Sequence, residues 1–425
     1  MIQSFEYPGV GETYKAAVLP NGLEIRVVEK PGFCSKFAAF SVKYGGSDRS
    51  FLLEGTRHET PAGIAHFLEH KMFDMPDGLN VFAVMTGNGA DLNAFTSPGM
   101  TCYYFHCTDR FDENLRLLLQ LVTTPYFTSE SVEKEKPIIA QEIRMGMDDP
   151  DETLYYNFMK LLYSSHPIRD DIAGTEESIK KIDADLLRLC HRTFYCPGNM
   201  VLSVEGDIRA EEVVVLAEEV LAGWEGRPVP VPDYGGNDGP LPVAKEISVS
   251  GAVSAPQFII GAKILPPEGD FSRQQLTAKL AVQILFGRSS PFYTRLYSDG
   301  LINRSFGSDV DYVSGTAMVS LSGESRDPDA VLAEIGNEIR ELAEKGLDRE
   351  LFARIKKASI GGTLRSFEEF ESVCLGLTEG QFYGFCPFDG PAILDSITID
   401  ECRDFLLEHF APERLAVSIL HPQKP

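Results

Sequence analysis

The sequence predicts an α+β protein made of two similar domains, and three observations support this prediction. The chain has 425 residues, more than one ordinary domain contains. Segments with the alternating pattern of strands are mixed with segments of helical periodicity. A weak internal similarity also recurs at about half the chain length. We therefore expect domains at 1–225 and 241–425, joined by a linker at 226–240.

Strands and helices alternate along the first domain. Strand-like segments occupy 22–30 and 36–46, and residues 89–107 have the pattern of two strands joined by a Ser-Pro-Gly turn. Between these lies GIAHFLEHKMF, with helical spacing. Three further segments share an apolar stripe of helical period, and they are 111–122, 129–147 and 151–163. This mixture favours the α+β class.

The linker and the internal repeat define the second domain. Residues 226–240 are dense in proline and glycine and lack apolar periodicity, as is typical of linkers. Segments that begin at Ile182 and Ile399 each read as a helix, an aromatic-X-Pro turn and an apolar strand. Their prolines, Pro197 and Pro412, lie 215 residues apart. The second half is therefore predicted to be a second copy of the same fold.

Composition excludes several classes of protein. The net charge of −24 disfavours nucleic acid or anionic lipid as a partner. No apolar run reaches the length of a membrane-spanning helix, and the N-terminus carries no export or organellar signal. The eight cysteines form no CxxC pair, which argues against a disulfide framework. We expect a cytoplasmic protein without membrane or nucleic-acid partners.

The segment HFLEH carries the chemistry. His66 and His70 are four residues apart, so one helical face can present both imidazoles to one ion. Glu69 lies beside the same site, where a carboxylate can accept a proton from a water that zinc polarises. The alternative is an ordinary amphipathic surface helix. If HFLEH is a metal site, Zn²⁺ is the expected cofactor.

A catalytic zinc usually needs a third protein ligand. Segment 129–147 offers Glu135 and Glu142, which are seven residues apart and so share a helical face. One of them fits a zinc ligand, and the other fits a carboxylate that orients a histidine. Spacing alone does not decide which is the ligand.

The second copy is expected to lack the metal. Moved by 215 residues, the triplet of His66, Glu69 and His70 falls on apolar side chains in a helical segment, namely Ala281, Ile284 and Leu285. The helix would be kept and the polar groups lost.

These segments together resemble the pitrilysin, insulinase and mitochondrial processing peptidase family, whose inverted zinc motif is HxxEH. The similarity runs from HFLEH through LNAFTS and KEKPIIAQEI to FYCPGNMVLSVEGD, and it is greatest to bacterial members of about this length. The resemblance implies that His66, His70 and Glu142 bind zinc, that Glu69 is the general base and that Glu135 orients a ligand. It also implies a zinc metalloendopeptidase.

The family resemblance has further implications for substrate and architecture. LNAFTS corresponds to an edge strand beside the metal, to which peptides add by backbone hydrogen bonds. Asn93 and Ala94 are accordingly candidates for positioning unfolded or short peptides. The family fold has two α+β domains per half-clamp, each an antiparallel or mixed sheet with helices packed on one face. A chain of this length supplies one half, so a second chain is expected.

One departure from the family pattern concerns the second domain. Relatives carry an arginine and a tyrosine around a Gly-Leu pair, and these hold substrate from the opposite half. Here the pair at 300–301 is kept, but Leu296 and Asn303 occupy the two positions. Arg295 and Phe306 are out of register. We therefore expect a heterodimer with a homologous zinc-free chain that supplies the Arg/Tyr pair, a homodimer being the other arrangement considered.

Two other functions are compatible with parts of the sequence. Some members of the resembled family are non-catalytic scaffold subunits, although these usually lose part of the metal triad. A zinc hydrolase of non-peptide substrates is disfavoured by the LNAFTS strand and the two-copy architecture. Zinc content and peptide turnover together would separate these alternatives.

Overall fold

The computed structural model describes residues 1–76, 78–236, 239–266, 269–313 and 315–423. The chain forms two compact units, each assembled from three segments. Unit 1 comprises Met1–Ile143, Asp171–Tyr234 and Leu364–Asp389. Unit 2 comprises Arg144–Asp170, Gly235–Thr363 and Gly390–Pro425. The change from unit 1 to unit 2 at 234–235 falls inside the proline- and glycine-rich segment.

The described residues of unit 1 form two sheets. Their strands, in chain order from β1 to β10, are Ile2–Tyr7, Glu12–Val18, Glu24–Glu29, Lys36–Val42, Ser50–Leu53, Thr56–Glu59, Ala90–Thr96, Thr101–Cys107, Met200–Gly206 and Val231–Pro232. Seven strands form the main sheet in the order β1-β2-β3-β9-β4-β8-β7, and the small sheet has the order β10-β5-β6. Strands β3 and β9 pair in parallel, and the other neighbours are antiparallel. Strand β7 is thus an edge strand.

Among the described residues, eight α-helices come from the first half of the chain. From α1 to α8 they are Ile64–Lys71, Val81–Gly87, Phe111–Thr123, Ser129–Met147, Pro150–Leu162, Glu176–Ile179, Ala184–Phe194 and Ala210–Val220. The helices predicted at 111–122, 129–147 and 151–163 are α3, α4 and α5, and the strands predicted at 36–46 and 89–107 are β4, β7 and β8. The Ser-Pro-Gly turn is closed by a hydrogen bond from the Ser97 amide to the Met100 carbonyl.

The second half repeats this arrangement. Its strands β11 to β15 are Glu246–Gly251, Gln257–Ile264, Gly307–Val313, Thr316–Glu324 and Ala416–Pro422. They form one sheet in the order β11-β15-β12-β14-β13. This order matches β3-β9-β4-β8-β7 strand for strand, including one parallel pair, β11 with β15, and three antiparallel pairs. The predicted α+β architecture of two similar domains is confirmed.

The helices of the second half also follow the first. From α9 to α15 they are Phe271–Phe286, Pro291–Ser298, Pro328–Lys345, Arg349–Ser366, Phe370–Tyr383, Gly390–Ser396 and Ile399–His409. The counterpart of α1 is α9, since α9 follows β12 and α1 follows the equivalent strand β4 after the short strands β5 and β6. Ala281, Ile284 and Leu285 are buried in α9. Within the described residues, no helix is long and apolar enough to cross a bilayer.

Both faces of the main sheet of unit 1 are covered. Ala38 and Phe40 of β4 pack into the large core that includes residues of α1 and α3. The alternate residues Phe37 and Ala39 point to the other face, where they pack with Cys374 of α13. Helices were expected on one face, and the structure also places helix α13 on the second face.

Helix α13 comes from the opposite half of the sequence. Helix α13 belongs to unit 1, and its counterpart α5 belongs to unit 2. Phe158 and Leu162 of α5 cluster with Ala416 of β15 and Ile259 of β12. The two domains therefore exchange equivalent helices, which the sequence pattern does not reveal because an amphipathic helix does not specify which sheet it covers.

Candidate metal centre

The start of helix α1 is fixed by a close backbone contact. Gly63 precedes the helix with φ of 91°, in the left-handed region that favours glycine. A Cβ atom at Gly63 would lie 2.4 Å from the Ala173 carbonyl oxygen. Ser178 donates a hydrogen bond of 2.8 Å from its hydroxyl to the Ala62 carbonyl. This contact positions the helix that carries both histidines.

Helices α1 and α4 bring three potential metal ligands together. The ring centroids of His66 and His70 are 4.6 Å apart, as expected for positions one helical turn apart. Glu142 Oε2 lies 3.5 Å from His70 Nε2 and 3.8 Å from His66 Nε2. One ligand atom from each residue lies within 4.8 Å of the other two. The three residues named from the sequence as zinc ligands thus converge.

The spacing of these atoms fits a zinc ion. With zinc bonds of about 2.0–2.1 Å, two ligands of a tetrahedral site are roughly 3.4 Å apart. The carboxylate oxygen of Glu142 is close to that separation from both histidine nitrogens. Burial and the neighbouring His70 lower the pKa of His66 to about 4, which keeps its imidazole in the neutral, metal-binding form. The cluster therefore fits Zn²⁺ binding.

Glu135 holds His70 from the side away from this cluster. Its carboxylate lies 3.1 Å from His70 Nδ1 and 3.2 Å from Lys71 Nζ. The hydrogen bond with His70 lowers the pKa of Glu135 despite its burial. A charged carboxylate at this position places the His70 proton on Nδ1, so the lone pair of Nε2 faces Glu142.

The surroundings of His70 shift its pKa in opposite directions. Burial alone would lower its pKa, but hydrogen bonding to Glu135 and the charges of Glu142 and Glu69 raise the pKa overall. A cation at the same place would interact favourably with these three carboxylates. The negative potential around His70 is thus suited to a divalent metal ion.

Glu69 is a buried carboxylate with a defined partner. Thr96 donates a hydrogen bond of 2.6 Å from its hydroxyl to Glu69 Oε2. Burial raises the pKa of Glu69, and the bond from Thr96 opposes that rise. A carboxylate with a raised pKa is suited to accept and return a proton near neutral pH.

Strand β7 places its residues on two faces. Ala94 packs with Leu92 against the core that contains α1, whereas Phe95 packs on the opposite face. The Asn93 side chain is exposed, and its oxygen accepts a hydrogen bond of 2.9 Å from the Ala94 amide. As one of the two edge strands of this sheet, β7 offers backbone groups to an added peptide strand.

Two residues of the site escaped the sequence analysis. Thr96 shares the face of Ala94, so strand alternation combined with knowledge of which face meets α1 would have identified it. Lys71 is buried, and it contacts Asp74 at 2.5 Å as well as Glu135. Its position directly after the motif was the available signal, but a lysine there reads as exposed by default.

The region around 300–301 offers no substrate-binding arginine or tyrosine at the family positions. Leu296 and Phe306 are buried in the core of unit 2. Arg295 pairs with Glu334 and, at 3.0 Å, with Glu338. The out-of-register arginine is therefore engaged within its own unit.

Comparison with known proteins identifies the family of the chain. The family model "Insulinase (Peptidase family M16)" matches residues 52–176, and "Peptidase M16 inactive domain" matches residues 181–359. YmfH of Bacillus subtilis, named as an uncharacterized zinc protease, is 34% identical, and the match covers 100% of both chains.

Solved structures show the same architecture. The crystal structure of an M16-like peptidase from Alicyclobacillus acidocaldarius is 32% identical with a TM-score of 0.92, and the match covers 96% of this chain and 98% of that chain. Pitrilysin has the same fold with a TM-score of 0.78 at 17% identity, and the match covers 97% of this chain and 45% of pitrilysin. The chain belongs to the M16 family of pitrilysin- and insulinase-like peptidases, as one of its short bacterial members.

Proposed function

We propose that this chain is a zinc-dependent endopeptidase that cleaves unfolded or short peptides. The observation that supports it most directly is the convergence of His66, His70 and Glu142, with ligand atoms within 4.8 Å of one another, next to the buried carboxylate of Glu69. This combination offers three ligands to one metal ion and a separate proton acceptor.

In this proposal each residue has a distinct role. His66, His70 and Glu142 hold Zn²⁺, which when bound acts as a Lewis acid that polarises a carbonyl and lowers the pKa of water. Glu69 takes a proton from the attacking water and returns it to the leaving amine. Glu135 keeps the His70 ring in orientation through Nδ1.

Substrate would bind along strand β7. An extended peptide can form backbone hydrogen bonds with the edge of the seven-stranded sheet, with Asn93 and Ala94 as the positioning residues. Main-chain pairing of this kind reads an extended shape more than a sequence. Folded proteins would therefore be poor substrates.

We further infer that activity requires a second, homologous chain. The Gly-Leu region lacks the arginine and tyrosine at their family positions, and Arg295 is paired with two glutamates. A zinc-free partner that supplies this pair would form a heterodimer with the zinc-bearing chain. A scaffold role without catalysis is not favoured, because the metal triad is complete.

We propose a cytoplasmic location because of the state of the cysteines. All eight are free thiols, as is typical of a reducing compartment.

The function is tested by replacing Glu69 and measuring zinc and turnover separately. Glu69→Gln keeps the shape of the side chain but cannot accept the proton. We expect full zinc content by elemental analysis and a loss of peptide cleavage of about 10²- to 10⁴-fold. Cleavage of casein fragments at the unchanged rate would show that the assigned base is wrong.

A further inference from the structure

A cavity lined by arginines lies in unit 1, and its residues are separate from the zinc cluster. Its volume is about 500 Å³. The wall includes Arg188 and Arg192 of α7, the end of α3, and Trp224 and Arg227 after α8. Asp185 is the acidic residue in this wall. We call this cavity the arginine pocket.

The charge of the arginine pocket contrasts with that of the chain. Three guanidinium groups face one carboxylate here, whereas the whole protein carries a net charge of −24. Arg188 is engaged, since it donates to Asp185 and to the Phe127 carbonyl at 2.6 Å. The pocket therefore keeps an excess of positive charge after this pair is counted.

The other two guanidinium groups have donors to spare. Arg227 donates a hydrogen bond of 3.3 Å to the Arg192 carbonyl. The Arg192 side chain is exposed and forms no hydrogen bond or ion pair with the part of the chain that the structure describes. Each guanidinium carries five donors in a planar fork that matches phosphate oxygens. Both residues line the same cavity, so each has donors available for an anion bound there.

Flat aromatic surfaces complete the wall. Trp224 is half-buried, and its ring meets Phe40 of the core edge-on, with centroids 6.1 Å apart. Tyr195 and His191 also line the cavity, and their rings stack at 4.7 Å. His191 is buried beside the Val122 carbonyl, which lies 3.0 Å from its Nε2. Indole and arginine side chains are the groups on which nucleobases stack.

We propose that the arginine pocket binds a nucleoside phosphate. The volume falls in the range of about 300–1,000 Å³ that is typical of small-molecule sites, and it exceeds what a phosphate alone would fill. Arg192 and Arg227 bind the phosphate, and the base lies against Trp224. The assignment does not depend on the proposed peptidase activity.

The single tryptophan makes this proposal directly measurable. Trp224 is the only tryptophan in the chain, so intrinsic indole fluorescence reports on the pocket alone. AMP, ATP, adenosine and tripolyphosphate are titrated into the purified full chain, with excitation at the red edge of the indole band, where adenine does not absorb. We expect saturable changes with AMP and ATP, and at least tenfold weaker binding of adenosine.

Two variants and a control establish the site. Arg192→Gln and Arg227→Gln are each expected to weaken AMP binding about tenfold or more. Arg209→Gln, at an exposed arginine that pairs with Glu212 outside the pocket, is expected to bind as the parent protein does. Absence of a saturable signal, equal affinity for tripolyphosphate and ATP, or parent-like binding by both pocket variants would overturn the proposal.

Discussion

Thr96 is a small residue with a large expected effect, because it is the hydrogen-bond donor to the buried Glu69 carboxylate. Thr96→Val keeps the shape of the side chain and removes that donor. A hydrogen bond to a charged group is worth about 1.5–3 kcal/mol, so we expect kcat/KM to fall roughly tenfold or more while zinc content is unchanged. Peptide cleavage assays measure the first quantity and elemental analysis the second.

The control for this prediction is Thr96→Ser, which keeps the hydroxyl and should keep most of the activity. If Thr96→Val cleaves peptides as fast as the parent, Glu69 does not need its partner and the assigned geometry of the base is incorrect.

Glu135 is predicted to set zinc affinity without touching the metal. Glu135→Gln removes the negative charge that holds His70 through Nδ1 and that neutralises Lys71. Loss of such a partner typically costs about 10- to 100-fold in metal affinity. Competition with a chelator of known affinity measures this change.

Glu130→Gln is the matched control on the same helix, because Glu130 is exposed and pairs only with the exposed Lys134 among the described residues. Exposed pairs of this type contribute little. Equal zinc affinity in Glu135→Gln and Glu130→Gln would contradict the role given to Glu135.

The proposed zinc ligands and Glu135 could be named from the sequence, whereas Thr96 and Lys71 could not. Two histidines four apart need only helical geometry to converge. The choice of Glu142 over Glu135 needed either the family resemblance or the distances. Thr96 and Lys71 depend on which strand face and which helix face meet, and that is decided by packing of distant segments.

Among the elements, helix α1 depends on the approach of two backbone segments at Gly63. Gly63→Ala introduces a Cβ atom 2.4 Å from the Ala173 oxygen and also imposes a left-handed conformation on a residue with a side chain. We expect the free energy of unfolding to fall by more than the about 1–3 kcal/mol that backbone strain alone costs. Zinc binding should also weaken, since the helix must shift. Urea unfolding and zinc titration measure the two effects.

Gly55→Ala separates strain from collision. Gly55 has φ of 80°, but a Cβ atom there meets nothing within 4 Å. We expect Gly55→Ala to lower the free energy of unfolding by roughly 1–2 kcal/mol and to leave zinc binding unchanged. Equal effects of the two substitutions would refute the packing argument for Gly63.

Strand β9 carries a buried acid that should make stability depend on pH. Neither carboxylate oxygen of Glu205 has a hydrogen-bond partner within the described residues, and Lys30 Nζ is 3.6 Å away. Burial raises the pKa of Glu205 to about 8, although Lys30 opposes the rise. The folded state therefore holds this proton more tightly than the unfolded state does.

The sign of the effect follows from that difference. Stability is greatest below the pKa of an unfolded glutamate and is lost as pH rises towards about 8. Relative to Glu205→Gln, the parent should lose up to about 1.4 kcal/mol per pH unit in this window. Urea unfolding of both proteins between pH 5 and 8 tests this, and a difference that does not change with pH would contradict it.

The exchange of α5 and α13 marks the limit of sequence-based prediction at this scale. The periodicity of 151–163 predicts a helix, and the structure has α5 at Pro150–Leu162. An amphipathic helix with this periodicity can pack on any apolar surface. Only the assembled sheets decide that α5 packs on β12 and β15 and that α13 packs on β4 and β9.

For the whole molecule, the central prediction concerns a partner chain. The purified chain should bind zinc and yet show no sustained peptide turnover, because the arginine and tyrosine of the family are not at their positions. Addition of a co-purifying homologous chain should restore activity, with size-exclusion chromatography reporting the complex. Sustained turnover by the chain alone as a homodimer would reject the heterodimer.

The division into two similar domains was accessible from the sequence because a repeat at a fixed offset reflects a duplicated fold. The prediction that the second half lacks the metal depends on the same offset, which places Ala281, Ile284 and Leu285, side chains that cannot bind zinc, at the positions of the triplet. The identity of the proposed partner and substrate depends on the surfaces of other molecules. The one clue in this chain is that the arginine and tyrosine are not at their family positions.

The proposed activity depends on one zinc ion held by residues of two helices. Anomalous diffraction at the zinc edge from crystals of the purified chain tests this most directly. We predict one peak bounded by Nε2 of His66, Nε2 of His70 and the carboxylate of Glu142, and its loss in His70→Ala. A zinc peak elsewhere in the chain, with none at these three residues, would contradict the account.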